Sequence, residues 1–145
     1  MTMISLASDH AGFDYKEAIK GHLESEGISV KDFGTYSNDP VDYPRFVNAA
    51  AQAVADGSCE RGIILGGSGN EAIVANRIKG IRCAVVWNQH TAQLSKEHGD
   101  CNMISIGQRM MTKEQALSVV DIWLNSEFKG GRHERRIRQI DSANL

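Results

Sequence analysis

One run of the sequence brings a carboxylate, a hydroxyl and a cluster of glycines close enough to act together: Gly66-Gly67-Ser68-Gly69-Asn70-Glu71. A strand running through glycines straight into a helix leaves main-chain N–H groups aimed outward at the helix N-terminus, a ready anion site. Ser68 offers a hydroxyl. A carboxylate that sits where an anion binds, as Glu71 would, is crowded by that charge, which draws its pKa upward toward that of a general base. The chemistry on offer is proton transfer next to a developing oxyanion.

Other residue types could serve the same site. Asp9-His10 follows an apolar run, Asn88 and Arg109 follow two others, and His98 closes a helical stretch. Arg132 and Arg136 stand four apart in a segment that also holds Arg135 and Arg138. On a helix that spacing puts two guanidiniums on one face, which suits a phosphate dianion. Each has a plainer reading: a polar turn for Asp9-His10, a cation on a helix dipole for His98, a solvated basic face for the arginines. The glycine turn itself fits a structural turn, or a loose G-x-G-x-x-A dinucleotide fingerprint through Gly67, Gly69 and Ala72. That fingerprint belongs at the first strand and needs an acid near the end of the next one, where this chain has Trp87-Asn88-Gln89-His90.

Elements to position these groups are legible in the pattern. Apolar β-prone runs at Met3–Ala7, Ile28–Phe33, Gly62–Leu65, Arg82–Trp87 and Met103–Ile106 predict five strands. Between and after them, helical spacing predicts helices over Phe13–Glu26, Arg45–Ala55, Asn70–Lys79, His90–His98 and Thr112–Asn125, the last with Thr112 and Gln115 in capping-box spacing. A basic tail, Lys129–Leu145, follows. The alternation predicts an α/β fold: a single Rossmann-like, doubly wound domain over residues 1–145, with a five-stranded parallel sheet covered by helices on both faces. Ligands of such sheets lie off the carboxyl ends of the strands, which is where Asp9, His10, Ser68, Glu71, Asn88 and Arg109 fall.

Composition narrows the class. A chain of 145 residues, 41% hydrophobic and 23% charged, with a net charge of −2, reads as one globular domain without the basic field of a nucleic-acid binder. No apolar run approaches the roughly 18–20 residues of a membrane span. Cys59, Cys83 and Cys101 are an odd count without a C-x-x-C pair, which reads as reduced thiols in a cytoplasmic protein.

The chain resembles the ribose-5-phosphate isomerase type B family, with its galactose-6-phosphate and allose-6-phosphate isomerase relatives. The resemblance rests on Ser8-Asp9-His10-Ala11-Gly12, Asp42-Tyr43-Pro44, the 66–71 turn, Ala75-Asn76-Arg77, Glu97-His98, Ile106-Gly107-Gln108-Arg109 and Glu127 through His133. The turn is similar to that of the branch with a glutamate base; the other branch has cysteine at the position of Gly66. The resemblance implies an aldose–ketose isomerase needing no cofactor or metal, acting on ribose 5-phosphate or on a tetrose, allose or galactose phosphate. A non-catalytic sugar-phosphate or nucleotide-binding homologue is the alternative.

By position, the resemblance makes Glu71 the base, Ser68 its assistant and His98 the ring opener. The backbone amides from Gly67 through Ser68 and Gly69 to Asn70 would hold the enediolate, Asp9 the sugar hydroxyls, and His10, Arg109, Arg132 and Arg136 would bind or surround the phosphate, with Tyr43 lining the pocket. It also implies a homodimer or homotetramer with sites at the subunit interface and the basic tail packed on a partner. Two positions depart from the family pattern. Asn70 and Glu71 are adjacent where the family has an intervening glycine, and Gly99 stands where asparagine is common.

Overall fold

The computed structural model describes residues 2–142; Met1 and residues 143–145, the end of the basic tail, lie outside the described residues. Five strands form one sheet: β1 (Met3–Ser8), β2 (Ser29–Asp32), β3 (Arg61–Gly66), β4 (Cys83–Val85) and β5 (Met103–Gly107). All pairings are parallel and the order is β2-β1-β3-β5-β4. The helices are α1 (Phe13–Ser25), α2 (Tyr43–Ala55), α3 (Ala72–Ala75), α4 (Gln89–Glu97), α5 (Lys113–Asn125) and α6 (Arg132–Asp141), with single 3-10 turns at His10–Gly12 and Gln108–Met110.

Alternation along each strand builds two cores. Ile4, Leu6, Ile63, Leu65, Ile104 and Ile106 face one way and pack with Ile19 and Leu23 of α1, Ala92 of α4 and Val119 and Trp123 of α5. Ala7, Ile64 and Met103 face the other way, against Val47, Ala50, Ala51 and Val54 of α2 and Ala72 and Ala75 of α3. Handedness explains this division. Crossovers that step the sheet one way (β1 to β2, β4 to β5) carry α1 and α4 on one face, and those that step it the other way carry α2 and α3 on the opposite face. The direction of winding reverses at β1, whose neighbour β3 starts the second half, so a crevice opens between the carboxyl ends of β1 and β3.

Four elements differ from the sequence pattern, the first being β4, where the strand expected over Arg82–Trp87 is only three residues long. Helix α2 begins at Tyr43 because Pro44 sits in its first turn, where its missing N–H costs nothing. The helix expected over Asn70–Lys79 is cut to the single turn of α3. Beyond it the chain tightens into i−3 bonds (Arg77 N–H to Val74, Ile78 N–H to Ala75), and the Asn76 side chain leaves to hold β4. That amide donates to the Cys83 carbonyl at 2.9 Å and accepts from the Cys83 N–H at 2.8 Å. The tail forms α6 on its own chain, with Ile137 buried and Asp141 paired to Arg82 at 2.5 Å. The Thr112–Gln115 capping box forms as its spacing predicts, and Asn88 and Thr91 make a second one at α4.

Candidate active site

A polar cavity of about 210 Å³ occupies the crevice between β1 and β3. Asp9, His10, Tyr43, Gly67, Ser68, Asn70, Glu71 and Arg109 line it. A larger hollow between α4 and α5, walled by Trp87 and Glu114, has no buried titratable group among the described residues that line it.

Glu71 is the chemical centre of the cavity. Its residue is only 2% exposed, and the carboxylate lies flat over Gly66: a Cβ there would come 2.5 Å from Oε2, so only glycine admits the acid at this spot. Oε1 has no hydrogen-bond partner, one of two such buried side-chain atoms among the described residues, with Ser8 Oγ. Burial lifts the Glu71 pKa from 4.5 to about 7. The amides of Glu71 itself and Gly69 and the Ser105 hydroxyl restrain the rise, while the Asp9 charge adds to it. Loss of water contact is therefore the main cause, where the sequence pattern pointed to crowding by a bound anion.

The turn leading to Glu71 holds its donors ready. Gly69 has φ +96°, a left-handed value, and a Cβ on it would lie 2.8 Å from Val85 Cγ1. Among the described residues the N–H groups of Gly67, Ser68 and Asn70 donate to nothing within the chain. Because α3 is a single turn, these loop amides, rather than a helix dipole, make the anion-accepting surface. The turn lacks one residue of the family pattern, yet it delivers the carboxylate to the cavity.

Around it, each end of a strand supplies one group. Asp9 uses Oδ1 to cap the following turn, accepting from Ala11 N–H at 2.9 Å and Gly12 N–H at 3.1 Å. His10 Nδ1 accepts from the Val41 N–H at 3.1 Å, which places the ring proton on Nε2. Arg109 N–H donates to the Gly67 carbonyl at 3.0 Å, and its guanidinium lies over Gly67 so closely that a Cβ there would sit 3.0 Å from Nη1. Tyr43 closes the side toward α2.

His98, Arg132 and Arg136 are not in this cavity. A crossover helix runs antiparallel to the strands, so the end of α4 lies by the amino ends of the sheet, away from Glu71. There His98 stacks on His133 of α6, with centroids 4.2 Å apart, and Lys129 N–H donates to the Glu97 carbonyl at 3.0 Å. Partial burial, then the charges of His98, Arg132 and Arg136, lower the His133 pKa. Two guanidinium and two imidazole groups thus gather by the amino ends of the strands and the acid by their carboxyl ends. Within one chain, therefore, His98, Arg132 and Arg136 do not meet the rim that carries Asp9, His10, Ser68, Glu71 and Arg109. Asn88 caps α4, accepting from Thr91 N–H at 2.8 Å, and is structural. At Gly99 the carbonyl accepts from Arg82 Nε at 3.0 Å, and a Cβ would meet Cys101 Sγ and the Ser95 carbonyl at 3.0 Å, so a side chain fits poorly. His22, Glu26 and Asp121 bring ligating atoms within 4.8 Å of one another at the far end of α1 and on α5, away from the cavity. No helix among the described residues is long and apolar enough to cross a membrane.

Ser105 is the residue of the site that the sequence pattern passed over. The signal was a hydroxyl inside an otherwise apolar strand, Met-Ile-Ser-Ile-Gly, which a buried strand tolerates only with a hydrogen-bond partner.

Comparison with known proteins agrees with this arrangement. Residues 4–140 match the model of the ribose/galactose isomerase family. Ribose-5-phosphate isomerase B of Escherichia coli K12 is 40% identical over 141 residues, covering 97% of this chain and 95% of that relative. That of Mycolicibacterium paratuberculosis is 46% identical over 137 residues, covering 92% and 86%. Among solved structures, the Clostridium thermocellum ribose-5-phosphate isomerase B superposes with a TM-score of 0.95 at 43% identity, over 97% of this chain and 95% of that one. The Mycoplasma genitalium enzyme, solved with bound ribulose-5-phosphate, gives 0.92 at 35% identity over 97% and 94%. Sequence, sheet order and the position of the cavity lead to one assignment: this chain belongs to the ribose/galactose isomerase family.

Proposed function

We propose that this chain interconverts ribose 5-phosphate and ribulose 5-phosphate through an enediolate, with Glu71 as the base. The observation that carries this reading is a buried carboxylate with a pKa of about 7 and one unpartnered oxygen, set beside three unused main-chain donors. A base poised near neutrality can take a carbon-bound proton and return it. Glu71 removes the proton from C2 of the open-chain aldose, and the electron pair moves through the C1 carbonyl to make an oxyanion at O1. The amides of Gly67, Ser68 and Asn70 stabilise that charge, as preorganised donors do in water-poor sites. The O2 proton passes to O1 with the Ser68 hydroxyl as relay, and Glu71 returns its proton to C1, leaving the ketone at C2.

Arg109 and the Nε2–H of His10 fit the phosphate, and the second oxygen of Asp9 fits a sugar hydroxyl. Anchoring the phosphate holds C2 against the base, where misplacement by an ångström costs on the order of a hundredfold. Arg132, Arg136 and His98 would complete the phosphate clamp and open the furanose ring from a second copy of the chain, in a dimer or tetramer. Their separation from Glu71 within one chain is what this part of the reading rests on. The three free cysteines fit a reducing, cytoplasmic setting.

A coupled assay tests the reading. Ribulose 5-phosphate should form from ribose 5-phosphate, with EDTA without effect, and Glu71→Gln should lower kcat by about 10²–10⁴-fold with little change in KM. Full activity in Glu71→Gln would remove the base. Thermal stabilisation by the sugar phosphate without turnover would make the chain a binding protein. A panel of tetrose, pentose and hexose phosphates fixes the sugar.

A further inference from the structure

The β3–β5 register pairs Ile64 with Ser105 and Gly66 with Gly107, so the Ser105 side chain leaves the sheet on the same face as the surface that Glu71 covers. Ser105 is fully buried, and its hydroxyl donates to the Gly69 carbonyl at 3.3 Å. An O–H···O bond of that length is weak, since such bonds centre near 2.7–2.8 Å. The hydroxyl has one proton, which the structure places on the Gly69 carbonyl, and it lies on the face of the sheet that the Glu71 carboxylate covers, near enough to hold the Glu71 pKa down.

Resting on the function proposed above, we infer that Ser105 is a positioning residue that follows the protonation of Glu71. While Glu71 is ionised, the hydroxyl turns from the Gly69 carbonyl to the carboxylate and stabilises the base. Once Glu71 holds the substrate's proton, the carboxylate no longer attracts the donor, and the hydroxyl returns to Gly69, the residue whose left-handed turn presents the oxyanion amides. The same side chain thus steadies the base before proton abstraction and the anion turn after it. The restraint that the Ser105 hydroxyl places on the Glu71 pKa agrees with this. The other titratable groups facing Glu71 are Asp9 and His10 after β1, Tyr43 at the start of α2, Arg109 after β5 and Cys83 on β4, the last kept as a thiol by burial. Removing one oxygen from Ser105 leaves them all in place.

Two measurements on Ser105→Ala decide the matter. The acidic limb of kcat/KM should move upward by about half a unit to one unit, the effect of one lost hydrogen bond on a carboxylate, with KM for ribose 5-phosphate unchanged. Ser105→Thr, which keeps the hydroxyl, should return the limb toward its wild-type position. Infrared titration of the Glu71 carboxyl band, identified by its loss in Glu71→Gln, should show the same upward shift without any turnover. An unmoved band, or a uniform loss of kcat at every pH with the limb in place, would overturn the role of Ser105. If the wild-type protein fails to isomerise any sugar phosphate, the proposed function falls, yet the infrared titration still decides whether Ser105 governs Glu71.

Discussion

A carboxylate with a raised pKa is a stability statement as well as a catalytic one. Glu71 titrates near 7 when folded against 4.5 as an isolated side chain, so between those values the folded state binds more protons than the unfolded chain. Its contribution is fully present below pH 4.5 and is lost as pH rises through about 7, where the acid must ionise without water. Glu71→Gln should therefore be more stable than wild type at pH 8, by on the order of 3 kcal/mol, and the gap should close near pH 5. Thermal unfolding at the two pH values measures it, and an equal effect at both would mean the acid is not buried as described. Activity runs the opposite way: kcat/KM of the wild type should climb with pH through about 7, falling tenfold per unit below it, because only the ionised form accepts a proton.

At the scale of elements, the site depends on how the segment after β3 is held. Its residues, Asn70 through Lys79, carry a helical pattern, yet the segment is a series of tight turns because Asn76 is drawn out to clamp both polar groups of Cys83. Strand β4 is the sheet edge and only three residues long, so those two bonds are a large part of what fixes it. Asn76→Ala should destabilise the fold by about 1–3 kcal/mol through the unpaired Cys83 groups. Chemical denaturation is the check, and a value within error of wild type would show the clamp to be dispensable. Local pattern reports the apolar face of a segment; it cannot report that an exposed polar side chain, Asn76, turns away to clamp a strand that begins seven residues on. The same limit hid Ser105, whose acceptor lies 36 residues earlier in the sequence. Where the pairing is local, as in the Thr112–Gln115 capping box, the residue order alone was sufficient.

The whole molecule separates what the proposed mechanism needs. Glu71 and Arg109 lie at the carboxyl end of the sheet, His98, Arg132 and Arg136 at the other. If two copies exchange these groups across a two-fold axis, Glu71→Gln and His98→Asn each spoil every site of their own homodimer. Mixing the two inactive proteins under exchange conditions should then restore about a quarter of wild-type activity, since half the dimers are mixed and each of those has one intact site. No recovery on mixing, with exchange verified, would place His98 outside the reaction.

The amino-acid order by itself determined the alternation of strands and helices, the parallel sheet this demands, and the short-range constellation at the ends of β1, β3 and β5. Those features follow from side-chain periodicity and from glycines, caps and turns that act within a few residues. Tertiary structure alone decided the rest: the separation of His98, Arg132 and Arg136 from Glu71, the protonation range of Glu71, and the serine beneath the turn. Each of these is a sum over groups distant in sequence, and burial, which moves the acid most, exists only once the two cores have closed around the sheet.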